Sequence, residues 1–265
     1  MEQDEALARR VDEAVWKILC LKNELGLFEN PYVDEEEEEK ILLGDKMLAA
    51  AEEAALESCV LLKNEGLLPI KKEHKSILIT GPFAATGELL GNWACKGRFQ
   101  ETISLAAGMR EVFSASSIEI CEDWERCPQE AFREADFIAA ALGEPWELSG
   151  EGHSSAGLEL PKEQRELIRR LKDSGREFAV LIFSGRPLAL ENVIEDIPAL
   201  LWCWYPGTCG GRAAARLLAG ECSPSGKLTM SFPRVTGQTP VYYNECRCGR
   251  PAGESAYRSR YQDCE

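Results

Sequence analysis

Three carboxylates, Glu144, Glu147 and Glu151, fall in one short stretch, "GEPWELSGEGHSSAGLELP", together with Trp146 and with His153, one of two histidines in the chain. A carboxyl group desolvated beside an aromatic ring holds its proton to higher pH and can act as a general acid, and once ionised it can act as a base. Acidic side chains are usually solvated surface charges. These three differ in sharing a glycine-flanked loop directly after an apolar run, "DFIAAALG". The residue types alone leave all three open.

Other reactive constellations are missing or incomplete. There is no G-x-S-x-G elbow for a nucleophilic serine, and His74 sits in the charged turn "KKEHK", which reads as solvated surface. "GPFAATGELLG" follows an apolar run but matches neither the dinucleotide nor the phosphate-loop pattern. No cofactor is called for. The cysteines lack zinc-like spacing, only Cys246-x-Cys248 and the looser Cys121 to Cys127 lying close together, so no metal is expected and the thiols read as reduced and buried. That pattern suggests a cytoplasmic chain.

The loop must be held by something, and the pattern around it says what. "SILITGP", "SIEIC", "DFIAAALGE", "EFAVLIFSG" and "ALLWCWYPG" are near-continuous apolar runs, as expected of strands buried on both faces. Helical patterns alternate with them: "TISLAAGMREVF", "PQEAFREA", "PKEQRELIRRLKDSG" and "GGRAAARLLAG". The fold class is therefore α/β, a mostly parallel sheet of about five or six strands with helices on both faces, an α/β sandwich. "GKLTMSFP" is expected to add a last strand at the sheet edge. In such a sheet ligands bind beyond the carboxyl ends of the strands, where "GPFAATGELLGNW", "GEPWELSGEGHSS", "SGRPLALEN" and "WYPGTCGG" would converge. Trp93 and Trp146 in two of these loops offer aromatic faces of the kind that stack on a sugar ring.

Linker helices precede the sheet. Val11, Val15, Ile18, Leu19, Leu25 and Phe28 mark one amphipathic helix ending at Gly26. A second is expected to start at the acidic run Glu35 to Glu39 and continue through "KMLAAAEEAALESCVLLKN" to Gly66. The expected organisation is residues 1–66 as linker helices, 67–233 as the sandwich, and 234–265 as an extended segment rich in Gly, Pro, Cys and Arg.

The totals exclude several classes. With 30 basic against 45 acidic residues the net charge is −15, which disfavours nucleic acid and anionic membrane as partners. No apolar run approaches the ~20 residues needed to span a bilayer.

Taken in order, these motifs resemble the second, α/β sandwich domain of family-3 glycoside hydrolases, the β-glucosidase and β-xylosidase group. "ESCVLLKNEGLLPI" is similar to that domain's entry and "GNWACKGR" to its Gly-x-Trp loop. "SGEGHSSAGLELPKEQRELI" resembles its Ser-Gly-Glu segment leading to Leu-Pro and a Gln-x-x-Leu-Ile helix. "SGRPLAL", "WYPGTCGG", "LLAGECSPSGKLTMSFPRVTGQTPVYYN" and "GRP" continue the resemblance.

The resemblance implies a retaining mechanism with an aspartate nucleophile in an N-terminal (β/α)8 barrel and an acid/base glutamate from this domain. Carried over by position, that glutamate is Glu151, with Glu144 or Glu147 as fallback and Trp93, Trp146 and His153 beside the substrate. The implied substrate is a β-glucoside or related oligosaccharide. One departure is Ser155, where the family segment commonly carries arginine.

No Ser-Asp-Trp-like nucleophile stretch is present, and "VDEAVWKILCLKNELGLFENPYVD" resembles only the segment that closes the barrel. The chain is thus expected to be inactive alone and to need the barrel as a partner. The first helix, including Trp16, is expected to fold back, fray or mediate a homodimer, and Glu151 to be exposed.

Overall fold

The computed structural model describes residues 4–71, 73–95 and 97–244. The chain divides into two compact units, Met1–Met47 and Leu48–Glu265.

The first unit is helical. α1 (Glu5–Glu24) starts at Asp4, whose side chain accepts from the amides of Ala6 and Leu7, and it stops in a Schellman arrangement at Gly26, with the Leu27 amide donating to the Lys22 carbonyl at 3.0 Å. None of its residues is buried. α2 (Glu35–Ile41) is capped by Asp34 and carries four glutamates in its first turn, where the helix dipole favours them. The expected single helix from Glu35 to Gly66 is not formed. It breaks after Ile41, where Leu43 takes a positive φ of 57°, and resumes as α3 (Asp45–Ser58).

In the second unit, the expected helix gives way to a strand. β1 (Val60–Asn64) pairs antiparallel with β6 (Ala199–Trp202), with a register shift between Leu61 and Lys63. Pairing with an open sheet edge outweighs the helical continuation of five apolar-rich residues. The sandwich therefore begins upstream of residue 67. The other strands are β2 (Ser76–Thr80), β3 (Ser117–Cys121), β4 (Phe137–Gly143) and β5 (Glu177–Phe183). The sheet order is β1-β6-β5-β4-β2-β3, and every pairing except β1 with β6 is parallel.

Alternate strand residues feed two cores. Ile77, Ile79, Ala139, Ala141, Leu181, Phe183 and Leu201 pack under α4 (Leu105–Val112) and α7 (Gly210–Leu218). Leu78, Ile138, Leu142, Val180, Ile182 and Trp202 pack against α5 (Gln129–Glu134) and α6 (Lys162–Ser174). Each fully buried large apolar side chain stabilises the sheet by about 1.5–3 kcal/mol. The near-continuous apolar runs are thus those of strands covered twice, and this is an α/β sandwich. The two edge strands are more open: no residue of β3 is buried, and of β1 only Val60 is.

Three further expectations fail. "GKLTMSFP" forms no strand; Phe232 instead packs edge-on against Trp202, with ring centroids 4.7 Å apart. Cys121 and Cys127 are joined in a disulfide, so the thiols are not all reduced. Cys246 and Cys248 lie outside the described residues. His74 is not solvated: its side chain is largely buried, 5.8 Å from the Phe137 ring, with Nε2 3.2 Å from Glu177 Oε2 but not aligned for a hydrogen bond.

That end of the sheet contributes to acid stability. Backbone hydrogen bonds from Lys75 and Ser76 hold the Asp136 carboxyl below its usual range, and a hydrogen bond from Lys71 lowers Glu177. Carboxylates lowered on folding stabilise the native state above their unfolded pKa, and that contribution is lost as pH falls through the lowered values. The urea midpoint should therefore drop as pH falls below about 4.5, where the unfolded-state carboxyls begin to bind protons. Asp136→Asn should make that drop shallower; an unchanged slope would remove Asp136 from the explanation.

Candidate active site

The loops after β2, β4, β5 and β6 converge as the topology requires. Glu144 follows β4 directly, and its amide donates to the Phe183 carbonyl at the end of β5 at 3.0 Å. Beneath it, the buried Gln164 of α6 closes the strand end, accepting from the Gly143 amide and donating to the Gly143 carbonyl, both at 2.8 Å.

The side chain of Glu144 is buried and engaged. Arg186, from the β5 loop, donates through Nε to Oε2 at 2.9 Å and through Nη2 to Oε1 at 2.7 Å, and the Ser184 hydroxyl donates to Oε2 at 3.2 Å. A bidentate, hydrogen-bonded pair at 4% and 17% side-chain exposure is a structural clamp between two strand ends. From the β6 loop, the Tyr205 hydroxyl donates to the Glu144 carbonyl at 2.9 Å. Burial raises the Tyr205 pKa, so the phenol stays protonated and able to donate.

The rest of the β4 loop is fastened at intervals. Ser149 lies against Gly185 and the Tyr205 ring side, and Ser155 accepts from Arg186 Nη2 at 3.2 Å. Farther on, Leu158 is held by Thr236 and Ala189. Between Ser149 and Ser155 the chain makes a tight turn, with the His153 amide donating to the Gly150 carbonyl at 3.3 Å. Gly152 occupies the third position with φ 78°, the left-handed geometry that position demands in a type II turn. Gly150, at φ 107°, presses on the Asn92 side chain so closely that a Cβ would lie 2.7 Å from Cγ.

Glu151 stands at the tip of this turn. It is exposed, and no described side chain hydrogen-bonds or ion-pairs with it. Glu147 and His153 are also exposed. Trp93 lies in the 3-10 turn Asn92–Ala94, immediately after the residue on which Gly150 rests, and 65% of it is accessible. Trp146 is half-buried and tilted against Phe99, with ring centroids 6.3 Å apart.

The structure thus separates Glu144, buried and paired, from Glu147 and Glu151, both exposed. Sequence reading missed Arg186, Tyr205, Gln164 and Asn92, although each lies in a stretch whose loop or helix was marked. A cavity of about 310 Å³ lies elsewhere, lined by residues including Leu61, Leu68, Leu201, Leu217 and Cys222. Among the described residues no three His, Cys, Asp or Glu side chains form a metal-sized cluster, and no helix is long and apolar enough to cross a membrane.

Residues 59–262 match the Glycosyl hydrolase family 3 C-terminal domain. The chain belongs to glycosyl hydrolase family 3. Over 96% of its length this family-3 chain is 33% identical to a periplasmic β-glucosidase of Salmonella typhimurium and 32% identical to a β-xylosidase of Formosa agariphila. The solved β-glucosidase of Listeria innocua in complex with gluconolactone superposes on 95% of the chain with a TM-score of 0.84 and 40% identity. The family-3 chain spans little more than a third of these relatives: 38% and 37% of the first two and 36% of the third.

Proposed function

We propose that this chain supplies the acid/base half of a retaining β-glycosidase site, hydrolysing terminal β-linked sugars of the β-glucoside type, and that Glu151 is the acid/base residue. The observation that carries the reading is the contrast between the carboxylates. Glu144 is locked in a buried clamp, whereas Glu151, exposed and without a partner among the described side chains, sits at the tip of a turn whose two flanks are fastened to three neighbouring loops. A proton donor must reach a bond held by another part of the site, and only a presented carboxyl can do so. Glu151 would protonate the leaving oxygen and then, as carboxylate, activate water.

The partner in this reading is a (β/α)8 barrel carrying an aspartate nucleophile, with the two carboxyl groups converging to roughly 5 Å, the separation retention requires. Trp93 offers its exposed face to the sugar, with Trp146 and His153 at the margins. The module that delivers the loop is the sandwich from about Leu48 onward, and residues before it form the link to the barrel. The Cys121–Cys127 disulfide favours an oxidising compartment over the cytoplasm first expected.

A second reading, a non-catalytic sugar-binding module, is favoured by the exposure of Trp93 alone. A chimera separates the two. Replacing the aligned segment of the Listeria innocua β-glucosidase with this chain should preserve hydrolysis of p-nitrophenyl β-glucoside, while this chain alone should show none. Turnover by the isolated chain would contradict the division of labour.

A further inference from the structure

Two thiols outside the strand-end site stand opposite each other within the sheet. β1 and β6 pair antiparallel with Val60 opposite Trp202 and Leu61 opposite Leu201. The same register, carried one residue beyond Val60, sets Cys59 opposite Cys203. Side chains alternate along a strand, and Leu61 and Leu201 pack into the core under α4 and α7. Cys59 and Cys203, two positions on, project from that same face; both belong to that core, and neither is exposed. Directly opposed antiparallel residues hold their Cβ atoms about 4.5–5.5 Å apart, and a disulfide needs about 3.5–4.5 Å, so a movement of about 1 Å closes the gap.

We propose that Cys59 and Cys203 form a latent cross-strand disulfide, closed by a small disulfide of the glutathione class and reopened by thiols. In closure each cysteine gives up a proton, and the pair gives up two electrons as the Sγ–Sγ bond forms. The oxidant's own S–S bond breaks, and it takes up those electrons and protons as two thiols. The new bond ties β1, an edge strand with one neighbour, to β6, whose following loop carries Tyr205.

The surroundings of the pair set how it closes. Burial and the adjacent Cys59 thiol push the Cys203 pKa up, so little attacking thiolate forms in the resting fold. Neither thiol reaches solvent until β1 lifts. β1 is the strand able to do so. It is paired on one side only, and the cavity of about 310 Å³ lies beside it, walled in part by Leu61 and Leu201, the next opposed pair along that face. Closure is therefore gated by opening of the sheet edge.

Oxidised glutathione added to the 265-residue chain, with and without sub-denaturing urea, tests this. A non-reducing tryptic map should show the peptide 47–63, which holds Cys59, joined to the peptide 177–212, which holds Cys203 and Cys209. Cys203→Ala should remove the link and Cys209→Ala should leave it. Urea favours opening and should speed closure several-fold. The closed chain should melt about 5–10 °C higher, as expected for a bond that closes a long loop, and dithiothreitol should reverse the shift. Recovery of Cys59 and Cys203 only as free thiols or glutathione adducts would overturn the pair, as would a link that survives Cys203→Ala. Closure at the same rate with and without urea would overturn the gating by the edge. The proposed glycosidase role stands or falls separately.

Discussion

In the Listeria chimera, Glu151→Ala should lower turnover of substrates with poor leaving groups by about 10²–10⁴-fold, the usual contribution of a positioned general acid. The loss should depend on the leaving group. A dinitrophenyl β-glucoside departs without protonation, so its glycosylation step should be nearly normal and the slow step should become attack of unassisted water on the glycosyl-enzyme. An alkyl β-glucoside needs the proton and should show the full loss in kcat/KM. Equal effects on both substrates would indicate a structural role for Glu151. Glu147→Ala is the natural control: its side chain is also exposed, but it precedes the fastened turn, and its expected effect is small.

Arg186→Ala should destabilise the sandwich by about 3–5 kcal/mol, read from urea unfolding. The size follows from what remains. Glu144 is 3% exposed, and without the guanidinium its charge is left buried with one serine hydroxyl as donor. Replacing both members of the pair by leucine should recover a substantial part of the loss, because the cost lies in an uncompensated charge more than in missing attraction. A loss below about 1 kcal/mol for Arg186→Ala would mean that the clamp is solvated and weak. The same variant releases Ser155, one of the fastenings of the Glu151 turn. Its residual activity in the chimera should therefore fall further than stability alone accounts for.

The contrast between these two glutamates was not legible in the sequence, where both stand in one acidic, glycine-rich loop. Glu144 acquires its partner from a residue 42 positions away, and only the parallel pairing of β4 with β5 brings the two strand ends together. Strands of the parallel sheet were legible because burial on both faces leaves unbroken apolar runs, as in Phe137–Gly143. β1 was not, because its five residues carry no period of their own and take their conformation from the open edge of β6. His74 was misjudged for a similar reason: charged neighbours in sequence concealed a packing partner, Phe137, supplied by a distant strand. The turn that presents Glu151 was closer to readable. Gly150 and Gly152 flank the carboxylate, and the turn uses both, one for close approach to Asn92 and one for its positive φ.

The most direct test is the product formed by the Glu151→Ala chimera when sodium azide is added to a dinitrophenyl β-glucoside assay. If Glu151 is the acid/base residue, azide needs no general base and should attack the accumulated intermediate, restoring turnover and yielding β-glucosyl azide with retained configuration. Unchanged kinetics with glucose as the sole product would contradict the assignment, leaving this domain a scaffold and the proton donor elsewhere.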